Sequence, residues 1–184
     1  MSGQRLVILD RDGVINEDSD AYIKGLDEWR PIPGSIEAIA RLTQNEFRVA
    51  IVSNQSGLAR GLLSIDDLNE IHQHLHHLLK QIGGRIDLIL FCPHAPGDQC
   101  LCRKPSTGLL DELGRRFQMS LQGVPFVGDS WSDVLAARAV GARPILVETG
   151  KGRRTLTVHR EDLEAVAVFP DLSTAVDKIL EAGS

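Results

Sequence analysis

Short apolar runs alternate with segments of helical periodicity along most of the chain. The runs typical of buried strands are Leu6–Leu9, Val49–Val52, Leu88–Phe91, Phe126–Val127 and Ile145–Val147, with a weaker one at Val166–Phe169. Apolar residues recur at helical spacing within Ser35–Asn45, Asp66–Ile82, Gly108–Phe117, Ser132–Val140 and Ser173–Ala182. Because continuous apolar runs fit strands covered on both faces, this alternation predicts an α/β fold with a mainly parallel sheet and helices on both faces. No linker, repeat or low-complexity tract divides the pattern, so we expect one domain over residues 1–184.

The composition excludes several classes of protein. The 184 residues are 42% apolar and carry 25 acidic against 20 basic side chains, for a net charge of −5. This mild acidity is unlike the basic surfaces that bind nucleic acids or anionic membranes, and no apolar run is long enough to span a bilayer. The first residues do not resemble a signal peptide, and three cysteines do not suit a disulfide framework. We therefore expect a cytoplasmic monomer with no nucleic-acid or membrane partner.

Polar residues follow four of the predicted strands directly. They are Asp10–Gly13, Ser53–Gly57, Cys92–His94 and Gly128–Ser130. In sheets of this kind, ligands bind outside the carboxyl ends of the strands, so these four segments are expected to meet at one edge. One such segment would carry little weight, but four in succession predict an active site.

The acidic residues at this edge indicate phosphoryl chemistry with a metal ion. Asp10 and Asp12 are two residues apart, and Asp129 follows another strand, so these carboxylates would repel one another without a cation. Oxygen ligands without histidine suit Mg²⁺. The hydroxyl of Ser53 and the cationic Lys104 add groups that hold a phosphoryl oxygen. Together they fit transfer through an aspartyl-phosphate, whereas Asp-x-Asp-Gly alone would more often be an ordinary turn.

All three cysteines lie within eleven residues of one another, together with a histidine. Cys92 and His94 are separated by one residue, as are Cys100 and Cys102, so each pair can direct two ligands to one point. Three thiolates and an imidazole form a closed tetrahedral Zn²⁺ site, which we expect to be structural. Since the last cysteine almost adjoins Lys104, zinc would fix the loop that carries this lysine. Incidental thiols and a redox role are the alternatives.

The motifs resemble those of the haloacid dehalogenase-like (HAD) phosphohydrolases. The similar segments are Asp10-Arg11-Asp12-Gly13, Ser53, Lys104 and Gly128-Asp129-Ser130-x-x-Asp133. The resemblance implies a Rossmann-like HAD fold with Asp10 as the nucleophile and Asp12 as the general acid and then base. It further implies that Ser53 and Lys104 hold the phosphoryl group. Mg²⁺ would be bound by Asp10, Asp129 and the carbonyl of Asp12. The intervals between motifs are too short for a large cap domain.

The zinc-loop pattern narrows the resemblance to the family of heptose-1,7-bisphosphate 7-phosphatases. Cys-Pro-His, Cys-x-Cys-Arg-Lys-Pro and Asn-Gln-Ser-Gly-Leu-Ala-Arg-Gly are similar to that family's segments. The resemblance implies hydrolysis of the C7 phosphate of a heptose bisphosphate in nucleotide-activated heptose synthesis, often for lipopolysaccharide core. Because its guanidinium fork suits an anion and Lys104 is committed to the other phosphoryl group, we expect Arg103 to hold the phosphate that is kept. The implied substrate contacts are Asp18, Ser19, Asp20, Ala21 (or Tyr22 in its place), Ser53, Asn54, Gln55, Ser56, Arg103 and Lys104.

Two other functions remain open from the sequence. Histidinol-phosphate phosphatases share the motifs and a similar zinc loop. A non-catalytic, zinc-containing phosphate-binding module is the alternative of another class, although a binder needs no nucleophile. We interpret four histidines as part of a polar helix face: His72, His74, His76 and His77. We interpret Lys151–Arg154 as a solvated basic loop.

Overall fold

A computed structural model of the protein describes residues 5–182, in which six strands form one parallel sheet. The strands are β1 Leu6–Leu9, β2 Arg48–Asn54, β3 Leu88–Cys92, β4 Pro125–Gly128, β5 Arg143–Val147 and β6 Ala167–Phe169. Their order across the sheet is β3-β2-β1-β4-β5-β6, and every neighbouring pair is parallel. The order reverses direction at β1, which lies between β2 and β4. Such a switch point opens a crevice at the carboxyl ends of the strands.

Helices cover both faces of the sheet, which confirms the predicted α/β fold. They are α1 Ser35–Gln44, α2 Ser56–Ala59, α3 Ile65–Gln81, α4 Gly108–Phe117, α5 Trp131–Ala139, α6 Gly152–Val158 and α7 Leu172–Ala182, with short 3-10 turns at Leu26–Glu28 and Glu161–Leu163. No helix within residues 5–182 is long and apolar enough to cross a membrane.

The alternation of side chains along β1 divides the core into two layers. Val7 and Leu9 face one layer, which contains the apolar sides of α1, α3 and α7. Leu6 and Ile8 face the other, which contains those of α4 and α5. All four side chains are buried. Because both sides of the strand are covered, the run is continuously apolar, as a central parallel strand requires.

The interpretation of Lys151–Arg154 as a loop is wrong, because helix α6 begins at Gly152. The segment reads as polar, and its glycine disfavours a helix by propensity. Close packing nevertheless requires a glycine at this position, since a Cβ on Gly152 would meet the carbonyl oxygen of Val147. The hydroxyl of Thr155 also donates to the carbonyl of Asp129 at 3.0 Å. The helix therefore forms against the end of β5.

Candidate active site

A cavity of about 370 Å³ lies at the carboxyl ends of the strands. The predicted site residues that line it are Asp10, Asp12, Asp18, Ser19, Asp20, Asn54, Gln55, Ser56, Arg103, Lys104 and Asp129. Tyr22 lines the cavity as well, whereas Ala21 does not. Ser53 is buried immediately beneath this surface, and its hydroxyl accepts a hydrogen bond from Gln55 Nε2 at 3.2 Å. Residues far apart in the sequence thus share one cavity.

Lys104 is buried between two carboxylates. Its Nζ lies 3.0 Å from Asp10 Oδ2 and 2.6 Å from Asp133 Oδ1, and it donates to the carbonyl of Val52 at 2.7 Å. Burial alone would lower the pKa of Lys104, but the charges of Asp10 and Asp133 outweigh it and raise that pKa. A cation is therefore held permanently beside Asp10. The pairing with Asp133 was not predicted, although both residues stand in the motifs.

Asp10, Asp129 and Asp133 form an acidic group whose carboxylate oxygens lie within 4.8 Å of one another. Burial and the charge of Asp133 raise the pKa of Asp10 to about 7, against the opposing effect of Lys104. Burial and the charges of Asp10 and Asp133 raise the pKa of Asp129 to about 8. The charge of Lys104 therefore does not fully offset the burial and mutual repulsion of these carboxylates. Oxygen donors at this spacing therefore fit a hard divalent cation.

Asp12 has a different environment from Asp10. Arg11 Nη2 contacts both of its carboxylate oxygens, at 2.9 and 3.1 Å. Asn16 and Gln55 donate to it at 2.9 and 2.8 Å. Burial would raise the pKa of Asp12, but the charge of Arg11 and the two amide hydrogen bonds lower it below its usual range. The Asp12 side chain is outside the acidic group, so only its carbonyl would be free for the predicted metal contact.

The loop after β5 holds Asp129 in place. The backbone N–H of Lys151 donates to Asp129 Oδ2 at 2.8 Å, and Lys151 Nζ lies 2.9 Å from Asp18 Oδ2. Gly13 (φ +80°) and Gly150 close over the same carboxylate, since a Cβ on either would come within 2.0 and 2.2 Å of Asp129 Oδ2. Lys151 is a cavity residue that the sequence reasoning missed. Its place after a strand was the available signal, because that strand ends at the same edge.

Asn54 joins the end of β2 to the lysine loop. Its Oδ1 accepts from the backbone N–H of Lys104 at 3.0 Å, and its Nδ2 donates to the carbonyl of Lys104 at 3.1 Å. Gln55 likewise connects β2 to β3, because its backbone N–H donates to the carbonyl of Cys92 at 2.8 Å. These contacts give both residues a supporting position beside the cavity. Contact of Asn54 and Gln55 with substrate stays a prediction.

Cys92, His94, Cys100 and Cys102 converge at one point, with their ligand atoms within 4.8 Å of one another. Cys102 Sγ lies 3.2 Å from both Cys92 Sγ and His94 Nδ1, and the Sγ atoms of Cys92 and Cys100 are 3.7 Å apart. Tetrahedral zinc with bonds of about 2.0–2.3 Å places its ligands about 3.3–3.8 Å apart. The three cysteines are free thiols. The geometry therefore fits a four-coordinate metal.

The chain is similar to known phosphatases over almost its full length. Residues 101–175 match the HAD-hydrolase-like family. The chain is 49% identical over 177 residues to the D-glycero-beta-D-manno-heptose-1,7-bisphosphate 7-phosphatase of Bordetella bronchiseptica, covering 96% of this chain and 98% of that protein. It is 51% identical over 176 residues to the enzyme of the same name from Pseudomonas aeruginosa, with 96% and 98% covered.

Solved structures agree with these relatives. The B. bronchiseptica D,D-heptose 1,7-bisphosphate phosphatase, crystallised with magnesium and phosphate, superposes with a TM-score of 0.94 at 49% identity, covering 97% of this chain and 99% of that one. The Burkholderia thailandensis enzyme has a TM-score of 0.75 at 38% identity, covering 96% and 99%. These likenesses confirm the resemblance drawn from the motifs. The chain belongs to the family of D-glycero-beta-D-manno-heptose-1,7-bisphosphate 7-phosphatases, within the HAD-like hydrolases.

Proposed function

We propose that the protein is a magnesium-dependent phosphatase that removes the C7 phosphate of D-glycero-D-manno-heptose 1,7-bisphosphate and keeps the C1 phosphate. The observation that carries the proposal is the buried Lys104, whose Nζ lies 3.0 Å from Asp10, a member of the acidic group that also contains Asp129. A nucleophile, a fixed cation and a metal-binding group therefore lie next to one another at the cavity. The chain's relatives carry the same activity in their names.

The proposed reaction has two steps that share Asp10. In the first, a carboxylate oxygen of Asp10 bonds to phosphorus while the bond from phosphorus to the sugar oxygen breaks, and Asp12 gives its proton to that oxygen. In the second, Asp12 takes a proton from water as the water oxygen bonds to phosphorus and the bond to Asp10 breaks. Lys104 and Ser53 hold the transferring group. Inorganic phosphate and heptose 1-phosphate are the products.

Asp10, Asp129 and the carbonyl of Asp12 are the proposed magnesium ligands. When bound, the ion neutralises the carboxylates and stabilises negative charge on the phosphoryl oxygens. The raised pKa values of Asp10 and Asp129 support this assignment, because both groups need added positive charge to ionise at neutral pH. The Asp129 carboxylate is already oriented by the N–H of Lys151.

Zinc is the proposed occupant of the Cys92, His94, Cys100 and Cys102 group, in a structural role. Four protein ligands leave no position for a water, so this zinc would not activate a nucleophile. Arg103 follows the last ligand directly, and its Nη1 donates to the carbonyl of His94 at 3.3 Å. We expect Cys100→Ala to lose zinc, lower the unfolding temperature and reduce turnover. Zinc loss without either other change would contradict the structural role.

Phosphate release from two substrates tests the proposed activity. With Mg²⁺, kcat/KM for heptose 1,7-bisphosphate should exceed that for histidinol phosphate, and chelation of Mg²⁺ should abolish release from both. Asp10→Asn should eliminate the magnesium-dependent release. A higher kcat/KM for histidinol phosphate would overturn the substrate assignment, and undiminished release from Asp10→Asn would overturn the mechanism.

The proposal extends to a cytoplasmic, monomeric enzyme of a single domain, acting in nucleotide-activated heptose synthesis for lipopolysaccharide core. The net charge of −5 supports the expectation of no nucleic-acid partner. Light scattering of the purified protein tests the monomer, since a mass near twice 20.1 kDa would exclude it.

A further inference from the structure

Arg11 stands between the two aspartates of the first motif and has no exposed surface. A guanidinium is seldom removed from water completely, because the loss of its hydration is costly. Its neighbours in the sequence, Asp10 and Asp12, both line the cavity, but Arg11 points into the protein beneath them. The burial of this charged side chain therefore needs a specific explanation.

The guanidinium is matched to the carboxylate of Asp12. Arg11 Nε and Nη2 donate to Oδ1 at 3.0 and 2.9 Å, and Nη2 also reaches Oδ2 at 3.1 Å. Nη2 further donates to Gln55 Oε1 at 3.2 Å, while Gln55 Nε2 donates to Asp12 Oδ2. Asn16 supplies the remaining donor to Oδ1. The planar fork and the two amides therefore fix both oxygens and the plane of the carboxylate.

We infer that Arg11 is a positioning residue for Asp12, which it holds in the orientation required for proton transfer to the leaving oxygen and from the attacking water. The inference rests on the proposed function, because it assigns Asp12 the acid and base roles. A buried ion pair contributes little to stability compared with apolar residues of similar volume. Stability alone therefore does not account for an arginine here, whereas a fixed carboxylate plane does, because proton transfer depends strongly on geometry.

The test compares Arg11→Met with the wild-type protein on two substrates. Heptose 1-phosphate leaves from the bisphosphate as a C7 alkoxide that needs a proton, whereas p-nitrophenolate leaves from p-nitrophenyl phosphate without one. With heptose bisphosphate we expect kcat to fall about 100-fold and KM to change less than about threefold. With p-nitrophenyl phosphate, formation of the aspartyl-phosphate should stay fast and its hydrolysis should slow. A burst of about one p-nitrophenolate per chain should then precede a slow steady state.

Arg41→Met is the matched control. Arg41 also pairs with an aspartate, Asp177, at 3.0 Å, but on the surface between α1 and α7. The Arg41→Met variant should keep the wild-type kcat on both substrates. Arg11→Lys retains the charge without the planar fork and should recover only part of the lost kcat, because an ammonium cannot reproduce the pair of donors, Nε and Nη2, that fixes the plane of the carboxylate.

Three outcomes would overturn the inference: a kcat for Arg11→Met within threefold of wild type, a loss confined to KM, or a folded variant without the burst. If Arg11→Met does not fold, NMR of the wild-type protein decides. The Arg11 Nε proton should exchange slowly and should shift in Asp12→Asn, and fast exchange or no shift would contradict the pairing. A wild-type protein that hydrolyses neither ester would instead refute the proposed function itself.

Discussion

Asp10 and Asp12 are two residues apart, yet their surroundings shift their proton affinities in opposite directions. Asp10 lies beside Asp129 and Asp133, and burial together with the charge of Asp133 raises its pKa to about 7, against the opposing effect of Lys104. For Asp12, burial is outweighed by the charge of Arg11 and by amide hydrogen bonds, so its pKa is lowered. Paired titratable groups with divergent environments are how active sites separate chemical roles. Two aspartates in one short motif thus become a nucleophile awaiting a cation and an ionised carboxylate held in a fixed plane.

Neutralising Asp10 and neutralising Asp12 should impair different steps of the reaction. Asp10→Asn removes the nucleophile, so no aspartyl-phosphate should form and kcat should fall by at least about 10⁴-fold. Asp12→Asn removes only proton transfer, which contributes about 10²–10⁴-fold. With p-nitrophenyl phosphate, mass spectrometry of the quenched protein should therefore find phosphorylated Asp12→Asn and unphosphorylated Asp10→Asn. Phosphorylation of the Asp10→Asn variant would contradict the assignment of Asp10 as the nucleophile and Asp12 as the acid and base.

Lys104 is the residue that most clearly separates the two environments, because it contacts Asp10 but not Asp12. Lys104→Met should reduce kcat about 10²–10³-fold through lost charge stabilisation. It should also destabilise the fold by about 3–5 kcal/mol, since it leaves Asp133 buried without its cation.

Adding Asp133→Asn to Lys104→Met supplies the control. The double variant removes both charges and keeps an acceptor for the N–H of Ser130. Urea unfolding should show most of the stability restored, while kcat stays low. Recovery of activity along with stability would mean that Lys104 acts only by supporting the fold.

Magnesium should stabilise the protein most at alkaline pH. The folded-state pKa values of Asp10 and Asp129, about 7 and about 8, lie above the ordinary 3.8. Their contribution to stability is thus fully present below pH 3.8 and is lost as the pH rises through 7 and 8. Added Mg²⁺ should offset that loss, raising the unfolding temperature by several degrees at pH 8 and by less at pH 5.

A thermal scan with and without Mg²⁺ at both pH values measures this difference. Asp129→Asn should reduce the pH-dependent part of the magnesium effect, leaving only the contribution of Asp10. An equal shift at pH 5 and pH 8 in the wild-type protein would show that the acidic group is not where the ion binds.

Arg103 gives the smallest expected effect, because it lines the cavity without belonging to either carboxylate environment. Arg103→Ala should raise KM for the bisphosphate about tenfold and leave kcat nearly unchanged, since uniform binding is lost. For a heptose 7-monophosphate, KM should change little. Equal increases for both substrates would remove the assignment of Arg103 to the retained phosphate.

The sheet was predictable from the sequence because its strands are continuously apolar and end in polar residues. The cavity residues Asp10 and Asp129 followed from the same pattern, and Lys104 followed from its motif directly after the cysteine cluster. Arg11 did not, since a charged residue in a motif reads as exposed and only the packed structure shows it buried beneath Asp12. Lys151 was missed for a related reason: it looked like part of a solvated basic loop, and its contact with Asp129 depends on how β5 ends.

The two glycines over Asp129 limit how this active site can be redesigned. Gly13 and Gly150 come from loops after different strands, and a Cβ on Gly150 would lie 2.5 Å from the Cα of Gly13. Neither position can accept a side chain by moving away, because each is bounded by the other and by the carboxylate. A combinatorial library randomised at both positions should return glycine at both among its active members, whatever substrate is used for selection.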